Sequence, residues 1–465
     1  MNRFSLLVAA AALWAATALA APPTPEAVRA EAREIFATAV SFDTGIGHGN
    51  VPKLAAYLAE RFRRGGFAAA DVHVVPLGET ASLVVRYRGD GSGGPPIAFL
   101  AHMDVVTANR SDWLRDPFTL TEENGYFFGR GTIDVKQEVA LLTETFLRLK
   151  RERFVPKRDL IIAFSGDEET AQSTATDLVA HHRELVDAEY ALNGDGGGGV
   201  LAEDTGRPSL FYVQGAEKYS VTFSLTTRNP GGHSSQPRAD NAIYALADVL
   251  KAVQGYEFPV RWNDWTLGDF KAAALVAPPA LAAAMQRFVA DPHDAAAAAD
   301  ISQYPAYVGK LRTTCVATML KGGHAENALP QSATATVNCR VFPGTPVEDV
   351  QRTLQRLAGA AVEVTPDYAP LVSDASPMRD DVMRAVALAL DAASPGARIV
   401  PTQAAYATDG AVYRNGGIPT YGIGSSFIKD SDMYAHGLNE RVPVASFYAG
   451  LSYWYVLIHA LAGGG

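Results

Sequence analysis

Ile97-Ala-Phe-Leu-Ala101 is an unbroken apolar run of strand type that stops abruptly at His102 and Asp104. Residues two apart on an extended backbone project from the same face, so His102 and Asp104 leave the end of a buried strand together. In a doubly wound sheet that carboxyl edge is where an active site lies. Neutral imidazole is a good transition-metal ligand, and a nearby carboxylate can fix its tautomer and raise its basicity. Such a pair can also do no more than cap a strand, so the rest of the chain decides.

The segments on either side have the rhythm of an α/β protein. Helical periodicity covers Pro25 to Ala39 and Val51 to Gly65, and strand-like runs cover Val72 to Val75 and Ser82 to Tyr87. Asp90-Gly-Ser-Gly-Gly-Pro-Pro96 is a strong turn signal before the His102 strand. Beyond it, Gly129-Arg-Gly-Thr-Ile-Asp-Val-Lys136 leads into a helix from Gln137 to Arg151. A buried strand, Leu160 to Ser165, is broken by Gly166-Asp-Glu-Glu-Thr170 before a helix from Ser173 to Leu185. Tyr190 to Leu192 then runs into Asn193-Gly-Asp-Gly-Gly-Gly-Gly199. Strands alternating with helices predict a mostly parallel α/β sheet.

Near Gly215 the pattern changes. Alternating strands at Tyr219 to Thr227, Thr313 to Leu320 and Ala333 to Val341, helices at Asn241 to Val253 and Val347 to Leu357, and a last strand at Val362 to Thr365 spell βαββαβ. That order is a split, ferredoxin-like α+β unit. An Ala-rich helical stretch from about Asp264 to Ala306 interrupts it, and the α/β pattern resumes from Pro377. The expected organisation is therefore a catalytic domain at 21–215 and 372–465, with an inserted domain at 216–371.

The first residues have the form of an export signal. Asn2-Arg3 is followed by an apolar stretch from Leu6 to Ala16 and the small-residue site Ala18-Leu19-Ala20. Residues 1–20 are expected to be removed, leaving an exported chain, periplasmic or secreted. No later run reads as long and apolar enough to cross a bilayer. The net charge of -10 and the lack of a basic tract argue against a nucleic-acid partner. Two cysteines, Cys315 and Cys339, could be oxidised after export, and the sequence leaves their pairing open.

Further chemistry-bearing residues follow strands of the same sheet. They are Asp134 after Gly129-Arg-Gly131, the pair Glu168-Glu169, Asp195 among its glycines, and His436 in Tyr434-Ala-His-Gly-Leu-Asn-Glu440. Singly, each has a plain alternative: a helix cap, a solvated face, a turn residue, a surface loop. Together, two histidines and three carboxylates suit a pair of zinc-like ions, each with an open position. A further carboxylate that binds no metal is then needed as general base.

On these motifs the chain resembles the M20 metallopeptidases and aminoacylases, relatives of glutamate carboxypeptidase, acetylornithine deacetylase and succinyl-diaminopimelate desuccinylase. The resemblance spans nearly all of the chain after the leader. It implies that His102, Asp134, Glu169, Asp195 and His436 hold two divalent metal ions, zinc first and cobalt or manganese as alternatives. Asp134 would bridge them, Asp104 would orient His102, and Glu168 would be the general base for a metal-held hydroxide. The inserted domain would be a lid and dimerisation domain of a homodimer. His233, in Gly231-Gly-His-Ser-Ser235, would serve the partner subunit's site. Asn327 and Arg340 would hold a substrate carboxylate. Gly422-Ile-Gly-Ser425 would line that side of the pocket, and Asp409 would play a supporting part. Gln137 departs from the small residue that usually follows the motif's lysine, here Lys136. The activity implied is cleavage of an amide or peptide bond next to a free carboxylate, of carboxypeptidase or dipeptidase type. The alternatives are an N-acyl-amino-acid deacylase and, more distantly, a periplasmic solute-binding protein.

Overall fold

The computed structural model describes residues 24–367 and 371–463. The leader expected at residues 1–20 lies outside them. Among the described residues a ten-stranded sheet forms the larger body. Its order is Val72–Leu77, Thr80–Tyr87, Leu160–Ser165, Ile97–His102, Tyr190–Asn193, Thr420–Gly422, Pro208–Glu217, Gly198–Leu201 and Phe427–Ile428. Arg398–Ala404 pairs with Pro208–Glu217 off that path. The strands around Ile97–His102 run parallel, and the register sets His102 beside Ser165 and Leu100 beside Asn193. Three strands therefore end at one edge, each just before a chemistry-bearing residue.

The apolar run at 97–101 is explained by burial on both faces. Ile97, Phe99 and Ala101 join a core with Phe36, Leu54, Phe146 and Trp454, from helices on one side of the sheet. Ala98 and Leu100 face a second core with Leu178, Val412 and Ile418 on the other side. The last helix, Val444–Ala462, corrects the expectation that no later run could cross a bilayer: it is long and apolar enough by that test. Its Phe447, Leu451, Trp454, Leu457 and Ile458 are instead spent on the core.

The smaller sheet has the order Thr314–Gly322, Ser332–Val341, Tyr219–Arg228, Glu363–Pro366, with every pair antiparallel. Burial alternates along Tyr219–Arg228, so Val221, Phe223 and Leu225 meet Leu246, Val249, Val350 and Leu354 from helices on one face. Cys315 and Cys339 sit directly opposite in this ladder and form a disulfide, which settles the pairing the sequence left open.

The Ala-rich stretch becomes four helices, Asp264–Ala273, Pro279–Ala290, Ala295–Ser302 and Pro305–Leu311, with a small core of their own around Phe270, Met285 and Phe288. Its anchor is on the larger body. Trp265 is buried in the main core, donates Nε1–H to the Ser376 carbonyl at 2.7 Å, and fills the space above Gly215, where any Cβ would meet its ring. This stretch thus leans on the edge of the main sheet, although it interrupts the βαββαβ unit in sequence.

Candidate metal centre

His102 closes its strand with Nδ1 facing the Asp104 carbonyl at 3.0 Å and the Asp104 carboxylate at 3.5 Å. The other ring nitrogen, Nε2, lies 3.0 Å from Asp134 Oδ1 and 3.9 Å from Asp195 Oδ2. The second oxygen of Asp134 lies 2.9 Å from His436 Nε2, which is 3.0 Å from Glu169 Oε2. Two triads result, His102–Asp134–Asp195 and Asp134–Glu169–His436, with the two oxygens of Asp134 divided between them. Within each triad the ligand atoms lie within 4.8 Å of one another.

Asp104 does more than orient His102. Its two carboxylate oxygens accept the backbone N–H groups of Glu168 and Glu169 at 3.1 and 3.0 Å. That grip holds the turn after Leu160–Ser165 so that the adjacent side chains diverge: Glu169 reaches His436, while Glu168 accepts from Gln172 Nε2 at 3.1 Å. Asp409 is buried beneath the site, hydrogen-bonded to Ser165 Oγ. Asn193 locks the next turn, accepting the Asp195 N–H and donating to the Asp195 carbonyl, both at 2.9 Å.

Asp134, Glu168, Glu169, Asp195 and His436 line one cavity of about 1110 Å³, together with Arg340, Tyr212, Tyr406 and the glycine strip 196–199, while His102 is itself buried. Gln137, the departure noted above, is among the lining residues; its Nε2 donates to the Ile133 carbonyl at 2.9 Å. Of the stretch 422–425, Gly424 lines the cavity, whereas Ser425 turns away and donates to buried Glu138. His233 and Asn327 are not brought to the cavity. They sit together at an exposed tip of the smaller domain, where the Ser234 N–H donates to the Asn327 carbonyl at 2.9 Å.

The electrostatics are those of a cation site. Burial, with the nearby Asp195 charge, pushes the Glu168 carboxyl up to about 10, and burial also drives Asp195 well above its usual range. Burial would raise Asp134 too, but hydrogen bonds from His102 and His436 hold it below the carboxylate range. His436 is pushed up to about 10 by hydrogen bonding to Asp134 and Glu169. More carboxylates are packed here than two imidazolium rings can neutralise, and they are all hard oxygen donors beside borderline nitrogens with no thiolate. That donor set fits a pair of divalent ions of the zinc, cobalt or manganese kind. The sequence missed what holds the loops in place: Asn193, the second duty of Asp104, and Glu440, whose carboxylate grips the segment carrying Asp134. Glu440 stood in a motif already singled out, but nothing in its spacing tells a gripping carboxylate from a solvated one.

Residues 98–460 match the model of the peptidase family M20/M25/M40. The human N-fatty-acyl-amino acid synthase/hydrolase PM20D1 is 24% identical over 400 residues, which is 82% of this chain and 77% of that protein. Among solved structures, an M20 family metallo-carboxypeptidase from Sulfolobus solfataricus superposes with a TM-score of 0.68 at 16% identity, covering 93% of this chain and 99% of the other. A dinuclear metal binding peptidase from Bacillus subtilis gives 0.60 at 11% identity, with 93% and 98% covered. With the family model spanning most of its length, the chain belongs to the M20/M25/M40 peptidase family and is a hydrolase of the peptidase and amidohydrolase kind.

Proposed function

We propose that this hydrolase cleaves an amide or peptide bond adjacent to a free carboxylate. The observation that carries this reading is the division of the two Asp134 oxygens between two triads, with Glu168 on the wall of the same cavity. One ion would be held by His102, Asp134 and Asp195, the other by Asp134, Glu169 and His436, with zinc the first choice. Such a pair, when bound, lowers the pKa of a water and polarises a carbonyl oxygen. Glu168 removes a proton from the attacking water and returns it to the departing nitrogen. Arg340, reaching the cavity from the smaller sheet, pairs with the substrate carboxylate in a forked geometry.

The chain is expected to lose turnover on chelation and to regain it with zinc, cobalt or manganese. The test runs dipeptides beside N-acyl amino acids before and after metal removal. Hydrolysis that survives complete chelation would sink the metal assignment. The second reading, an N-acyl-amino-acid deacylase, is favoured by the size of the cavity and by apolar Val200, Tyr212, Ile428 and Met433 on its wall. A preference for long acyl chains over dipeptides in the same panel would select it. Membership of a hydrolase family sets aside the solute-binding alternative.

We further propose that a homodimer completes the site. His233 and Asn327 do not line their own cavity, and the edge strand Thr314–Gly322 presents Val316, Met319 and Leu320 to solvent. An unpaired apolar edge invites pairing with a second copy, and the partner subunit's His233 would then meet the developing oxyanion. Mixing inactive Glu168→Ala and His233→Ala chains under reassociating conditions should restore about a quarter of the wild-type rate, because random two-fold assembly gives one complete site in half the dimers. No recovery from a mixture that does exchange subunits would refute service in trans. Export, as expected from the leader, fits the Cys315–Cys339 disulfide, which persists in an oxidising compartment.

A further inference from the structure

Glu440 is fully buried four residues beyond His436, and its carboxylate is claimed by one short segment. Oε1 accepts the backbone N–H of Ile133 at 2.8 Å and of Asp134 at 3.2 Å. Oε2 accepts from Arg130 Nη1 at 2.7 Å and from the Gly131 N–H at 3.1 Å. The Glu440 carbonyl takes the Gly129 N–H at 3.1 Å. Arg130 makes the return connection, donating Nη2 to the His436 carbonyl at 3.2 Å while its guanidinium lies 5.1 Å from the Trp113 ring. Strand pairs Arg441–Phe128 and Val442–Phe127 fix the register of the two segments just outside the clamp.

This arrangement is more than a buried ion pair. Three of the four donors are backbone groups of the very segment that presents Asp134, and removing their acceptor would strand them in the interior. The turn presenting His436 also needs outside support. His436 and Asn439 have φ of 61° and 57°, a left-handed conformation that non-glycine residues keep only where the surroundings over-determine it. The two triads differ in how much they depend on this support. His102 and Asp195 follow strands locked in register by the main sheet, with Asn193 bracing Asp195. Asp134 and His436 both come from segments that Glu440 and Arg130 tie together. Glu169 alone in the second triad is held independently, through Asp104.

We propose that Glu440, acting with Arg130, is a positioning residue that sets the Asp134–His436 separation and so governs the Asp134–Glu169–His436 metal position, where two of three ligands depend on it, more strongly than the His102–Asp134–Asp195 position, where one does. The inference rests on the dimetal reading above. Residues that orient ligands from outside typically change metal affinity about 10–100-fold. The test is calorimetric zinc titration of chelated full-length protein: wild type, Glu440→Gln, Glu440→Ala and Arg130→Lys, with His436→Ala as the reference for loss of the second position. Wild type should take two ions. Glu440→Gln, which keeps the shape but turns an NH2 group toward donors, should weaken the second affinity by about 10–100-fold and the first by a clearly smaller factor. Arg130→Lys keeps the charge without the fork and should shift the second affinity the same way by a smaller factor. Thermal unfolding of the chelated proteins identifies any variant that does not fold; should Glu440→Ala be one, the other two still decide. Both affinities falling by the same factor, or neither moving, would overturn the proposal, because a merely structural clamp has no reason to choose between ions. Fewer than two ions on wild type would instead overturn the dimetal reading.

Discussion

Glu168→Gln is expected to keep both metal ions and lose about 10³-fold in kcat, the mid-range of what a positioned general base contributes. The substitution is nearly isosteric, and an amide oxygen can still accept from Gln172 Nε2, so the turn should hold its shape. The neighbouring Glu169, not Glu168, reaches His436. Metal content should therefore stay at the wild-type level by mass spectrometry, and KM should change far less than kcat. What the amide cannot do is take a proton. Burial with the Asp195 charge pushes the Glu168 carboxyl up to about 10. A base works best with its pKa near the working pH, and positive charge held by the surrounding carboxylates moves this one in that direction. Turnover near the wild-type rate, or loss of an ion, would defeat the assignment of proton transfer to Glu168. Glu168→Asp separates geometry from charge: it retains the titratable group one methylene short, and it should recover part of the lost rate.

How much of this was legible in the sequence depends on where each interaction closes. The strands ending at His102, Ser165 and Asn193 were readable because each is an apolar run that breaks at a polar residue, and parallel register then puts the breaks at one edge. The βαββαβ unit was readable from its alternation, since one face of its sheet is buried. The Ser173 helix, expected to continue to Leu185, ends at His181, and His182 leaves the helical region with φ of −129° before a short turn of helix at Arg183–Val186. Periodicity alone had no signal for that break. The anchoring of the Ala-rich stretch by Trp265 was equally hidden: a buried tryptophan looks the same in sequence whichever core receives it. Glu440 is the clearest case. Its partners lie some three hundred positions earlier, and a contact between two loops imposes no period on either. Asp104 shows the opposite limit, because its place beside His102 was readable but its hold on the Glu168–Glu169 backbone was not.

Asp134→Asn carries the largest expected effect, loss of both ions rather than one. Every other ligand belongs to a single triad, so Asp195→Asn or His436→Ala should each leave one position occupied. Asp134 gives one oxygen to each triad, and hydrogen bonds from His102 and His436 hold its carboxyl below the usual range despite burial. An asparagine keeps the size but brings one oxygen, no charge, and an NH2 group that would face one of the two imidazoles or a cation. The measurement is thermal unfolding with and without zinc. A ligand that binds only the folded chain stabilises it by about 2.7 kcal/mol when present at a hundred times its dissociation constant. Wild type should therefore melt higher on adding zinc, the Asp195 and His436 variants by a smaller margin, and Asp134→Asn not at all. Without metal the variant should be less stable than wild type at neutral pH, because Asp134 is the charged partner of both His102 and His436 and removing one partner of a buried pair leaves the others uncompensated. Turnover of Asp134→Asn should fall at least as far as that of Glu168→Gln, since it removes what activates the water as well as what polarises the carbonyl. A zinc-induced rise in melting temperature equal to that of wild type would mean that the shared carboxylate is not shared, and the two triads would have to be read as separate clusters.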